Sequence, residues 1–228
     1  LLTLYTRDHG IVRALAKGAR KITSRKAGHL QPFTHITVQL ARGRDLLIVT
    51  QVETVNAFLP LHDDLIKTGF AAYVVELLIR FSYEEEGANP SIFRLVVETL
   101  DRLEKETDAW LPVRYYEMRL LDAVGFRPQI FECANCAREI LAEDQYFSFT
   151  AGGVICPRCG AGLNNLARIS LETLKYLRHF QRSSYRDASR ARPSLEVQKE
   201  AETLMQGYFT YLLERELNTP GFLKRVRS

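Results

Sequence analysis

Apolar and polar residues alternate with a period of two over the first 58 residues, then recur at the 3.6 spacing of helices. Leu1 to Tyr5 is a short apolar run ended by the turn signal Thr6-Arg7-Asp8-His9-Gly10. Ile11 to Ala16 follows, which predicts a hairpin. From Phe33 to Leu40, the residues Ile36, Val38 and Leu40 share one face, with Thr37 and Gln39 on the other. Ala41 to Asp45 is a second turn, and Leu46 to Val52 a fourth strand. Four strands are one short of a small five-stranded barrel of the OB-fold type. The chain starts at Leu1 rather than Met, so the first barrel strand is expected to precede it. The polar stretch Lys17 to Gln31 would leave the barrel as a flexible basic loop.

After Pro60, Leu65, Ile66, Phe70, Val74, Leu77, Leu78 and Phe81 fall at helical spacing. Glu84 to Gly87 reads as a linker. Pro90 opens a helix with Ile92, Phe93, Val96, Val97, Leu100 and Leu103 on one face, and a third runs from about Pro112 to Val124, stopping at Gly125. Ser170 starts a helix carrying Leu171, Leu174, Leu177 and Phe180. Residues 182–193 read as a loop. A last helix spans about Ser194 to Leu217, with Leu204, Met205, Phe209 and Leu212 inward, and Asn218-Thr219-Pro220-Gly221 ends it. The helices on both sides of the cysteine segment are each too poor in inward residues to fold alone. The expected architecture is therefore α+β and multidomain: an OB-fold at 1–59, a helical domain at 60–128 plus 166–228, and an inserted cysteine module at 129–165.

Composition changes this picture little. The chain of 228 residues is 46% hydrophobic and 25% charged, ordinary for a globular protein, and no apolar run approaches the length that spans a membrane. Charge is more informative. Residues 1–58 hold 9 Lys/Arg against 3 Asp/Glu, whereas residues 59–128 hold 8 against 13. A basic N-terminal module beside an acidic one suits an anionic polymer or surface at the first.

Cys133-Ala134-Asn135-Cys136 and Cys156-Pro157-Arg158-Cys159 form two CxxC turns on either side of 19 residues. Two such turns close a tetrahedral S4 site, which Zn²⁺ accepts without redox change. Tyr146 to Phe149 and Gly152 to Ile155 between them predict a short hairpin, resembling a zinc ribbon. The rivals are two disulfides or a redox dithiol. Four thiolates leave no open position, so a structural Zn²⁺ is expected.

Arg7, Arg13, Lys17, Arg20, Lys21, Arg25 and Lys26 form a basic run opposed only by Asp8, and Arg42 and Arg44 lie on the second turn. On a small barrel this points to nucleic acid; the rival is a solvated loop. Aromatics are sparse there (Tyr5, Phe33 and Phe58), so binding should be phosphate-dominated, sequence-blind and sensitive to salt. Arg178, Arg182 and Arg186, near His179, Arg190 and Arg192, are candidates for a second DNA contact or an acidic peptide, with a solvated helix end as the bland alternative. No phosphate-binding GxxxxGK[ST] loop, GxSxG elbow or HExxH helix occurs, and Asp63-Asp64 fits a helix N-terminus better than a metal site. The expectation is a protein without catalytic residues.

Thr6-Arg7-Asp8-His9-Gly10, the string Ala16-Lys17-Gly18-Ala19-Arg20, Ser24 and Leu30-Gln31-Pro32-Phe33 resemble the N-terminal domain of the bacterial recombination mediator family RecO. Tyr73, Glu76-Leu77, Gly125-Phe126 and Gly152-Gly153 before Cys156 are similar to its middle region, so the resemblance runs to about residue 217. It implies an OB-fold, a helical domain and a zinc module holding Zn²⁺ at Cys133, Cys136, Cys156 and Cys159. It also implies binding of single- and double-stranded DNA and annealing of complementary strands. The partners it implies are RecR, the acidic tail of single-stranded DNA-binding protein and, indirectly, RecA, in the RecF pathway of DNA repair. The setting would be the bacterial cytoplasm at the nucleoid, with no membrane. Lys17, Arg20, Lys21, Arg25 and Lys26 are the residues it carries over for DNA. A non-enzymatic adaptor and an RNA-binding module are the alternatives.

Overall fold

The computed structural model describes residues 1–19, 21, 24, 26–82 and 87–227. The chain divides into two compact units, Leu1–Ala109 with Asn218–Ser228, and Trp110–Leu217.

In the first unit, β1 (Leu2–Thr6), β2 (Gly10–Leu15), β3 (His35–Arg42) and β4 (Leu47–Asn56) form one sheet in the order β1-β2-β4-β3. β1–β2 and β3–β4 are antiparallel, while β2 and β4 pair in parallel, Ala14 with Leu47 and Leu15 with Ile48. A plain meander cannot make that parallel pair, and a Greek-key barrel can. Among the described residues the sheet stays open, with β1 and β3 as its edges. The expected inward face is the real one. Ala14, Val49 and Val52 are its centre, packed by Leu2, Leu4, Ile36, Val38, Leu40 and Leu47.

The β1–β2 turn is tied by Thr6, whose hydroxyl donates to the Gly10 carbonyl at 3.0 Å and accepts from the His9 N–H at 3.1 Å. Gly10 has φ +64°, and a Cβ there would lie 2.3 Å from the Gly87 carbonyl oxygen. Left-handed backbone and close approach together require glycine.

β4 runs four residues past its expected end at Val52. Register shifts between His35 and Ile36 and between Gln39 and Leu40 break the alternation that would have marked its length. After the strands come α1 (Leu59–Asp63), α2 (Leu65–Arg80) and α3 (Pro90–Lys105). Asp64 caps α2, accepting from the N–H groups of Ile66 and Lys67 at 2.8 and 3.1 Å, and Asn89 caps α3. Glu84, Glu85 and Glu86 lie outside the described residues.

The second unit opens with α4 (Trp110–Ala123), two residues before the expected Pro112, which the first helical turn tolerates. The cysteine segment then brings β5 (Gln145–Ser148), β6 (Gly153–Ile155), the single turn α5 (Pro157–Gly160) and β7 (Ala167–Ile169), in sheet order β6-β5-β7. α6 (Leu171–Arg182) starts at its Ser170 cap, as expected. The stretch read as a loop holds a further turn, α7 (Tyr185–Ala188), before α8 (Leu195–Leu213). Helices from before and after the cysteines pack together here, α4 with α6 and α8.

The largest departure is at the end. Asn218-Thr219-Pro220-Gly221 does not stop a helix but starts one, α9 (Asn218–Arg227), which belongs to the first unit and packs on α2. α8 ends earlier, where Glu214 turns left-handed at φ 51°. No helix among the described residues is long and apolar enough to cross a membrane.

Candidate nucleic-acid interface and metal centre

The first CxxC turn sits at the tip of a narrow hairpin. Ile140 N–H donates to the Phe131 carbonyl at 2.9 Å and Cys133 N–H to Arg138 at 2.8 Å, with Glu132 opposite Glu139. Its leading leg also joins β6: Val154 N–H donates to Gln129 at 2.7 Å and Ala134 N–H to Val154 at 2.8 Å. Because the second CxxC follows β6 directly, these bonds bring the two turns together. All four Sγ atoms lie within 4.8 Å of one another, Cys133 buried and the others half-buried.

The thiols differ in acidity. Burial pushes Cys133 up, but backbone N–H groups of Cys156, Cys136 and Asn135 outweigh it and hold it at about 6. The Arg138 N–H lowers Cys136. Cys159 is drawn down by the Asn135 amide, yet its sulfur neighbours Cys156 and Cys136 raise it on balance to about 11. Crowded thiols cannot all ionise without a cation between them. The cluster is a donor set able to hold one metal ion through four sulfurs.

The basic residues converge at one end of the sheet. Leu47 pairs with Arg42 on one side and Ala14 on the other, so Arg42 of β3, Arg13 of β2 and the Arg44 turn lie within two residues of one row. Lys17 follows two residues after the Leu15–Ile48 pair. Arg13, Lys17, Lys21, Arg42 and Arg44 are exposed. Arg7, at the far end of β2, pairs with Asp8 at 3.0 Å and stands apart. Arg20 and Arg25 lie outside the described residues. Lys26 is half-buried, and its Nζ donates to the Val49 carbonyl at 2.6 Å. With the single 3₁₀ turn at Ala27–His29 and a 2.8 Å contact from His29 to Thr54, residues 26–29 are anchored to β4 rather than free.

The second basic set divides in the same way. Arg182 and Arg186 are exposed, while Arg178 is half-buried and bonded to backbone carbonyls. Arg178 and Arg182 stack on one ring, their guanidinium carbons 5.3 and 4.9 Å from the Phe131 centroid. These three residues line a cleft of about 340 Å³ with Glu132 and Glu139. The sequence reading missed Phe131. Its place two residues before the first cysteine, facing arginines spaced i, i+4 on one helix, was the available signal.

Comparison with known proteins covers nearly the whole chain. The family described as Recombination protein O N terminal matches residues 1–58, and Recombination protein O C terminal matches residues 62–220. A protein named DNA repair protein RecO from Dehalococcoides mccartyi is 38% identical over 216 residues, 95% of this chain and 85% of that protein. A RecO from a Roseiflexus species is 40% identical over 229 residues, all of this chain and 80% of the relative. One from Symbiobacterium thermophilum is 31% identical over 230 residues, with 91% of the relative covered. The chain belongs to the RecO family.

Proposed function

We propose that the protein acts in DNA repair by binding single- and double-stranded DNA through its phosphates and bringing complementary strands together. The observation that carries this is the convergence of Arg13, Lys17, Arg42 and Arg44 on one end of the N-terminal sheet. The sequence also points to Arg7, Arg20, Lys21, Arg25 and Lys26 as DNA contacts. Of these, Lys21 is exposed, while Arg7 and Lys26 hold other partners. Two polyanions repel each other. A cationic surface that neutralises both without gripping base edges lowers that barrier and leaves the edges free to pair. This needs no bond-breaking residue.

Within this reading the four cysteines hold Zn²⁺. An all-sulfur donor set suits zinc, which here would close the module and supply structural stability rather than chemistry. Cys133, Cys136, Cys156 and Cys159 are the ligands. Kinship with proteins named for DNA repair supports partnership with RecR, the tail of single-stranded DNA-binding protein and, through them, RecA at the bacterial nucleoid. Arg182 and Arg186 are the exposed candidates for a second DNA or acidic-peptide contact.

Fluorescence anisotropy across a salt series tests the DNA surface. Each phosphate contact contributes about 0.9 to the slope of log affinity against log salt. The triple variant Lys17→Glu, Arg42→Glu, Arg44→Glu should weaken binding alike for all DNA sequences and flatten the slope by about 2 to 3. An unchanged slope would place the interface elsewhere, and tighter binding to RNA of matched length would favour an RNA-binding module.

A further inference from the structure

Arg178 is committed inward, unlike its exposed neighbour Arg182. Its Nε donates to the Ile130 carbonyl at 2.8 Å and its Nη2 to the Ile140 carbonyl at 3.5 Å. Ile130 and Ile140, both buried, stand on opposite legs of the hairpin that carries Cys133 and Cys136 at its tip. One guanidinium therefore spans both legs from a single helix, α6. The rigid fork of arginine suits that task; the single ammonium of lysine cannot place two donors so far apart. The leading leg is also held to β6, but the trailing leg meets it only through the bridge of Glu132 with Glu139 and a few backbone bonds. Two-stranded ribbons of this size are marginal without support from a packed element.

We propose that Arg178 is a positioning residue for the metal: by clamping both legs it fixes where Cys133 and Cys136 present their sulfurs, and it ties metal occupancy to the order of α6. This rests on the reading of the four cysteines as a zinc site. Residues that hold ligand-bearing groups in place commonly contribute 10- to 100-fold to metal affinity. Coupling of this kind is reciprocal, so zinc should in turn protect the amides of α6.

The test uses the full chain loaded with Zn²⁺ and titrated with a chromophoric chelator. Arg178→Met, similar in length but without donors, should weaken zinc binding about tenfold, and Arg178→Lys should fall between it and the parent. Arg182→Met, which removes the other cation on the Phe131 ring, should stay within twofold. Cobalt(II) in place of zinc gives a second readout: a loosened knuckle should weaken the visible bands of four-sulfur tetrahedral coordination. In the unaltered protein, removing zinc should speed hydrogen exchange at Leu177 to Arg182. A folded Arg178→Met protein that binds zinc within twofold of the parent overturns the proposal. So does exchange in α6 that ignores zinc, which decides the matter if the variant does not fold. A parent protein that takes up no zinc overturns the cysteine reading itself and the proposal with it.

Discussion

Glu76 of α2 accepts two hydrogen bonds from Thr219, at 3.0 Å from its N–H and 2.7 Å from its hydroxyl, across 143 positions of sequence. Its other oxygen accepts from the Asn218 N–H at 2.9 Å and the Asn218 amide at 3.0 Å. One carboxylate thus satisfies the first donors of α9 and seats it on α2, where Leu223 packs over Gly69. Glu76→Ala removes this cap, and the first unit should lose about 0.5 to 2 kcal/mol in denaturant unfolding.

The same carboxylate carries a pH signature. Burial works to raise its pKa, but the donors from Asn218 and Thr219 and the charge of Arg80 outweigh it and hold it below the ordinary value. A lowered carboxylate pKa adds stability above its unfolded value of about 4.3, and that stability disappears as pH falls through the folded value. Melting temperature should therefore fall in acid, below about pH 4, more steeply for the parent than for Glu76→Gln. Parallel acid slopes for the two proteins would show that other groups govern acid unfolding.

Ala137, directly after the first CxxC, has a left-handed backbone at φ 55°. A side chain there costs about 1 kcal/mol that glycine avoids. Ala137→Gly should tighten zinc binding several-fold in chelator competition, since the knuckle would then form with less strain. Weaker binding would mean that the lost chain rigidity outweighs the relieved strain.

Lys26 and Lys17 should behave as different kinds of lysine. Lys26→Met removes the bond to Val49 and should lower thermal stability while leaving the salt slope of DNA binding nearly unchanged. Lys17→Glu should do the reverse. A flattened slope in Lys26→Met would return that residue to the DNA surface.

Much of this was legible in the chain. The alternation of Ile36, Val38 and Leu40 gave the sheet its inward face, Ser170 and Pro90 marked helix starts, and the paired CxxC spacing identified the four clustered sulfurs. α9 was not legible. Asn-Thr-Pro-Gly reads locally as a stop, but Pro220 falls in the first turn, where its missing N–H is harmless, and the cap arrives from Glu76 on another helix. The inward partners of Lys26 and Arg178 were not legible for a related reason. A basic residue in a basic run looks like surface, and only tertiary structure brings Val49, Ile130 and Ile140 to these two side chains.

The proposed function turns on annealing driven by charge on one end of the N-terminal sheet. It is tested most directly by mixing two complementary oligonucleotides, one with a fluorophore and one with a quencher, with and without protein over a salt series and without ATP. Quenching should be faster with protein at low salt and fade as salt rises, and the triple variant Lys17→Glu, Arg42→Glu, Arg44→Glu should lose the acceleration. Folded parent protein that gives no acceleration at low salt would contradict the proposed function.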